Sequence, residues 1–195
     1  MGVLTPNNLP TRGQGRSADP PPPVGRRAYS LFVAKRTGTD GGTPATVALT
    51  AAGIAFTVRS YAHDPAAASY GLEAAAALGV DAARVFKTLL VQAEDGLAVG
   101  IVPVDRQLDL KALATALGVK RVQMADPAVA ERVTGYVVGG ISPVGQKRGL
   151  PTVLDESADD HETVLVSGGR RGQDLELRPT DLLAATGGRL AAIAR

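Results

Sequence analysis

A mixed α/β fold built on a mixed β-sheet is predicted by three features of this 195-residue chain. Segments with helix caps and glycine stops alternate with short runs of β-branched residues. Several of those runs are separated by tight turns, which join antiparallel strands only. Strands and helices are nonetheless interleaved along the chain, so the sheet should be mixed rather than purely parallel.

Order begins at Thr43, a helix N-cap with Pro44 in the first turn, and Gly53 ends that helix. Ile54, Phe56 and Val58 alternate and give a strand to Tyr61. After a turn at His63-Asp64-Pro65, Ser69 caps a helix that runs to Leu78 and stops at Gly79. The segments 85–93 and 97–104, joined by Glu94-Asp95-Gly96, form a hairpin. Asp109 caps a helix whose apolar face is Leu110, Leu113, Ala114 and Leu117. A short strand over 120–124 precedes a helix capped by Asp126 with Pro127 after it. Strands at 152–155 and 163–167 flank the acidic turn 156–162. A strand at 174–178, a helix at 179–186 stopped by Gly187, and a terminal strand complete the chain.

Apolar residues make up 45% of the chain, enough for a globular core, and no apolar run reaches the ~18 residues of a membrane span. With no cysteine there is no disulfide, thiolate nucleophile or thiolate metal site, and a cytoplasmic setting is expected. Residues 1–42 are rich in Pro and Gly and read as a disordered extension; residues 43–195 read as one domain. A GTG start codon is written as valine inside a longer frame, so translation from Val33 is a second reading of the first 32 residues. The formal charge of +2 is uneven. Residues 1–42 hold six Lys/Arg against two Asp/Glu, and residues 43–195 hold fifteen against seventeen. A nucleic-acid contact of the folded part must therefore use local patches such as Lys120-Arg121, Lys147-Arg148 or Arg170-Arg171, though any one of these taken alone reads first as a solvated loop pair.

Lys87 is the chemical oddity of the first hairpin strand. A core-facing lysine must be paired, lose its proton or reach out, so it faces a cleft or snorkels from an edge. The loop 137–149 contains Gly139, Gly140 and Pro143. Such a loop can aim successive N–H groups at a carbonyl oxygen, or be an ordinary turn. The Gly-rich segment 166–177 reads as a hairpin with exposed arginines, and its Asp174 as a ligand-binding carboxylate or a strand-edge charge. The two histidines, His63 and His161, lie in turns, and no metal or nucleotide-phosphate motif is present.

Five segments together resemble the YbaK/EbsC family of free-standing Cys-tRNA(Pro) deacylases, relatives of the editing domain inserted in bacterial prolyl-tRNA synthetases. They are "YAHDPAA", "VFKTLLV", "QLDLKALATALG", "MADPAVAERVTGYVVGGISPVGQKRGLPTVLDE" and "VSGGRRGQDLEL". The resemblance implies a mixed α/β fold around a curved, barrel-like sheet with surrounding helices. It implies that Lys87 holds the 3′ end of the tRNA, and that the loop Gly139, Gly140, Ile141, Ser142 and Pro143 engages the aminoacyl carbonyl. Tyr61, Tyr70, Thr88, Ser167 and Asp174 match the family's substrate pocket; Tyr70 is often phenylalanine there. It further implies no cofactor and no metal. The expected partners are tRNA(Pro) charged with cysteine and prolyl-tRNA synthetase. The substrate's own thiol would attack its ester, so the protein needs only positioning and an oxyanion site. The alternatives are a deacylase for alanine- or serine-charged tRNA and a non-catalytic binding module of the same fold.

Overall fold

The structure, a computed structural model, describes residues 1–2 and 42–195. The expected extension, apart from residues 1, 2 and 42, and the alternative start at Val33 lie outside the described residues. Among the described residues the α-helices are α1 (Pro44–Ala51), α2 (Tyr70–Leu78), α3 (Leu110–Leu117), α4 (Pro127–Thr134) and α5 (Pro179–Thr186). The strands there are β1 (Thr57–Ser60), β2 (Val85–Ala93), β3 (Gly96–Pro103), β4 (Gln123–Met124), β5 (Thr152–Asp155), β6 (Val164–Arg170), β7 (Gln173–Leu177) and β8 (Arg189–Ala191).

The helix ends follow local chemistry. Side chains of Thr43, Ser69, Asp109 and Asp126 accept N–H groups of their first turns, and Gly79, Gly118, Gly135 and Gly187 end their helices in the left-handed region. The strand expected from Ile54 is shorter. Only Thr57–Ser60 find a partner, on β7, while Ile54 and Phe56 pack against the core as extended chain. The acidic segment after β5 winds into a 3-10 turn, Glu156–Asp160.

The sheet order is β1-β7-β6-β2-β3-β5-β8, with β4 paired to β2. The β2/β3 and β6/β7 hairpins are antiparallel, whereas β2/β6, β3/β5 and β5/β8 are parallel. The sheet is mixed, as expected, but it is not closed. The barrel-like expectation is corrected here: β1 bonds only β7 and β8 only β5, so the two ends of the sheet never meet. One face packs Leu49 of α1 and Leu182 of α5 on Phe86, Ile101, Leu154 and Leu175. Opposite, Leu113 of α3 packs with Val102 and Val153, and Ala74 and Ala75 of α2 with Val85 and Leu165. No helix among the described residues is long and apolar enough to cross a membrane.

One irregularity of this sheet sets up the site. β2 meets β6 only at Val85↔Leu165 and Phe86↔Val166, and the strands then diverge. Further along the same edge, β4 takes over at Val91↔Met124 and Gln92↔Gln123. Residues 87–89 therefore have a strand partner on the β3 side alone, and a gap opens beside them.

Candidate active site

A cavity of about 380 Å³ fills this gap, within the size range of small-ligand sites. Three neighbouring strands carry its polar groups. Ser167 on β6 pairs with Asp174 on β7, and one residue earlier Val166 pairs with Phe86, which precedes Lys87 on β2. Lys87 and Asp174 are thus two strands apart in the sheet, across the gap where β2 and β6 diverge.

Lys87 is held but not neutralised. Its ammonium donates to the carbonyls of Arg106 (2.6 Å) and Val104 (3.4 Å) in the turn after β3. An ammonium has three donors, so one is left for a ligand. Burial lowers its pKa, and the nearby Asp105 opposes that shift.

Asp174 is 6% exposed and has no hydrogen-bond or ion-pair partner among the described residues. It is an interior-strand residue, with β1 on one side and β6 on the other, not a charge on a sheet edge. Burial raises its pKa to about 6. Beside it, Tyr61 is pushed up to about 12, first by burial and then by the Asp174 and Glu73 carboxylates. The Thr88 hydroxyl also lines the cavity; it is shut off from solvent and, like the Asp174 carboxylate, meets no partner among the described residues. An unmatched buried hydroxyl and an unmatched buried carboxylate in one cavity are what a polar ligand would satisfy.

The glycine loop closes the mouth. Val137 O accepts the Gly140 N–H at 2.9 Å, and Gly139 takes φ 86° between them. The Tyr70 ring lies flat on Gly139, where an added Cβ would come within 2.8 Å of it. Tyr136 anchors the loop from below, donating its hydroxyl to Val144 O at 2.8 Å. Glu131 accepts the Val138 N–H at 2.8 Å.

Of the residues singled out from sequence, Tyr61, Tyr70, Lys87 and Thr88 line the cavity, together with Gly139, Ile141, Ser167 and Asp174. Gly140, Ser142 and Pro143 do not line it. Gly140 packs on the Arg170–Arg171 backbone and spends its N–H within the turn. Ser142 is fully buried behind the loop and accepts the Val144 N–H. His63 lies outside the lining; its Nδ1 sits 2.9 Å from Glu73 Oε2, and its ring leans on Tyr70 with centroids 5.7 Å apart. Among the described residues, no group of three or more His, Asp or Glu is placed to hold a metal ion.

Three residues around the site were not assigned to it from sequence. Arg171 donates Nη2 (2.8 Å) and Nε (3.2 Å) to Val138 O and places its guanidinium 5.0 Å from the Tyr70 ring centre. Glu131 and Glu73 likewise act across distances in the chain that spacing rules do not reach.

The sequence profile of the aminoacyl-tRNA editing domain matches residues 64–185. An Enterococcus faecalis protein, EbsC, provisionally named a Cys-tRNA(Pro)/Cys-tRNA(Cys) deacylase, is 42% identical over 120 residues, covering 61% of this chain and 73% of its own. A proline–tRNA ligase of Thermoanaerobacter is 30% identical over 46% of this chain, but only 16% of the ligase is matched. A crystal structure described provisionally as a trans-editing enzyme for prolyl tRNA synthetase superposes with a TM-score of 0.70 at 29% identity, over 78% of this chain and 95% of that one.

Proposed function

The chain belongs to the aminoacyl-tRNA editing domain family, and on that premise we propose that it deacylates cysteine mischarged onto tRNA(Pro), acting in trans. The observation that carries this reading is the unpaired, buried Asp174 carboxylate sharing a cavity with Lys87 and the glycine loop. An aminoacyl ester has a cationic α-amino group, a carbonyl and a ribose-phosphate end. The cavity offers a complement to each.

Asp174 takes the α-ammonium, a cationic donor that its carboxylate does not find among the described residues. The remaining donor of Lys87 takes an oxygen of the terminal nucleotide. Gly139 and Ile141 line the cavity, and their backbone N–H groups meet no acceptor among the described residues; in this reading these groups receive the carbonyl oxygen as it gains negative charge. Gly140 cannot share that task, because its N–H is committed to Val137 O.

The nucleophile comes from the substrate. The cysteinyl thiolate attacks its own ester carbon, forming a C–S bond, and the C–O bond to the ribose breaks. The ribose oxygen leaves and takes up a proton, and a cyclic thioester is released. Cysteine and proline are similar in volume, so a synthetase pocket rejects one for the other poorly and a second site is needed. Association with prolyl-tRNA synthetase would raise the effective concentration at the charged tRNA.

Single-turnover deacylation of cysteinyl-, seryl- and alanyl-tRNA(Pro) tests the proposal. Cysteine should be released far faster than serine, since a hydroxyl is almost wholly protonated near neutral pH. Equal rates for the two would replace substrate attack by a protein-activated water. Faster release of alanine would reassign the specificity, and no release of any would leave a binding module.

A further inference from the structure

The Val137–Gly140 turn has a central peptide, Val138–Gly139, whose orientation is set from outside the loop. Gly140 N–H to Val137 O at 2.9 Å, with φ 86° at Gly139, marks a type II turn. Rotating only the central peptide by about 180° gives a type I turn with the same closing bond. Glycine at position 139 is compatible with either. The loop's own backbone therefore does not decide between them.

Arg171 does. Both of its contacts, Nη2 at 2.8 Å and Nε at 3.2 Å, fall on Val138 O, and the pair is exposed. In a planar trans peptide, C=O and N–H point in opposite directions. Holding the Val138 carbonyl toward the surface turns the Gly139 N–H the other way. Gly139 lines the cavity, and its N–H has no acceptor among the described residues. The preceding peptide is fixed separately, by Glu131 on the Val138 N–H. Arg171 is itself seated by the Tyr70 ring at 5.0 Å, and that ring packs on Gly139.

We propose that Arg171 is a positioning residue that locks the Val138–Gly139 peptide with its N–H facing the cavity, as a donor to the ester's oxyanion. In the flipped turn the Val138 carbonyl would face the cavity and repel that charge. The catalytic consequence rests on the deacylase reading above; the lock itself does not.

The variants Arg171→Met and Arg171→Lys, compared with wild type on cysteinyl-tRNA(Pro), test this. For Arg171→Met the saturating single-turnover rate should fall about 100-fold, the loss expected for one oxyanion donor. The enzyme concentration at half-saturation should change less than about threefold, because the interaction is made in the transition state. Arg171→Lys keeps a charged donor for the carbonyl and should recover most of the rate. The second readout is the Gly139 amide by NMR: ¹⁵N relaxation dispersion should appear in Arg171→Met and be absent in wild type, as the freed peptide flips. A raised half-saturation with an unchanged saturating rate would overturn the lock in favour of a phosphate contact. A slower rate with an unaltered Gly139 amide would overturn it too. If wild type deacylates no charged tRNA, the functional reading fails, and the Gly139 amide alone decides the lock. Arg171→Lys supplies the same amide readout if Arg171→Met does not fold.

Discussion

Asp155 and Asp174 are 3% and 6% exposed, and their surroundings are opposite. Asp155 ends β5 and accepts the N–H groups of Ile193 (2.8 Å) and Ala194 (2.7 Å), the Ser157 N–H (3.2 Å) and the Ser157 hydroxyl. Burial pushes its pKa up, but those bonds outweigh burial and the net shift is downward. Asp174 is buried with no such donors, and its pKa rises to about 6. The first carboxylate is a rivet, tying the C-terminal residues onto β5. The second is left charged against its surroundings in a cavity. A fold does not retain such a group for stability, since an apolar or neutral residue would be more stable there. The difference separates a region built for folding from one built for binding.

The largest effect that tests this division is Asp155→Ala. It would strand the Ile193 and Ala194 N–H groups, one of them buried, and should destabilise the protein by about 4 kcal/mol, since bonds to charged acceptors and orphaned donors both count. Urea unfolding should show a lower midpoint at unchanged slope. The folded fraction should deacylate at the wild-type rate. A stable Asp155→Ala protein lacking activity would put the C-terminal seam inside the site and dissolve the contrast.

Lys87→Ala is the counterpart on the cavity side. The deacylation rate should fall about 100-fold or more, comparable to losing an oriented charged donor. Stability should barely move, because Lys87 is only half-buried, its close contact at Arg106 is exposed, and its contact with the Val104 carbonyl is long at 3.4 Å. Thermal unfolding and single-turnover kinetics on one preparation check both halves. Unfolding with the activity loss would make Lys87 structural.

How far sequence reaches follows the same division. Capping residues, glycine stops and the β2/β3 hairpin were legible, because each depends on neighbours within a few positions. The sheet's order was not. β5 and β6 flank one acidic turn, yet β3 and β2 lie between them in the sheet. The cavity also hangs on a non-local event, the divergence of β6 from β2 after Phe86. Resemblance named the polar residues around that cavity, but pattern alone left Asp174 between ligand and edge charge. Arg171 looked like an exposed hairpin-tip arginine, and it is one; only the fold brings Val138 O to it, from a residue 33 positions away in sequence. His63 also depends on a partner outside its own turn, since Glu73 on α2, ten positions on, fastens it.

Asp174→Asn should be more stable than wild type at pH 7.5 by about 2 kcal/mol, because it removes a buried charge without opening a void. It should also weaken substrate binding by about tenfold, the value of one charge-assisted bond. Binding measured on a stable amide analogue of the aminoacyl ester, beside chemical unfolding, would show both. A destabilised Asp174→Asn would mean that Asp174 supports the fold as Asp155 does.

The last effect is the most specific, because the two aspartates predict opposite pH dependences. For Asp155 the folded pKa lies below the unfolded value. Its contribution is therefore present above about pH 4 and lost as pH falls through the lower folded value. For Asp174 the folded pKa of about 6 lies above the unfolded value near 3.9. Between these the unfolded chain has released the proton that the folded protein still holds. Stability then falls as pH rises from about 4 to about 6, by at most about 3 kcal/mol, and is flat on either side. Subtracting the Asp174→Asn stability curve from the wild-type curve isolates this contribution, since Asp155 and the other titrating groups are common to both. The difference should be constant below about pH 4, grow more negative to about pH 6, and level off. Ligands that place an ammonium beside Asp174 should pull that window down toward the unfolded value, because the charged carboxylate then gains a partner. A difference curve that stays flat from pH 4 to pH 7 would show Asp174 titrating as an ordinary carboxylate. The cavity would then be wet or its acid already paired, and the ammonium would have to bind elsewhere.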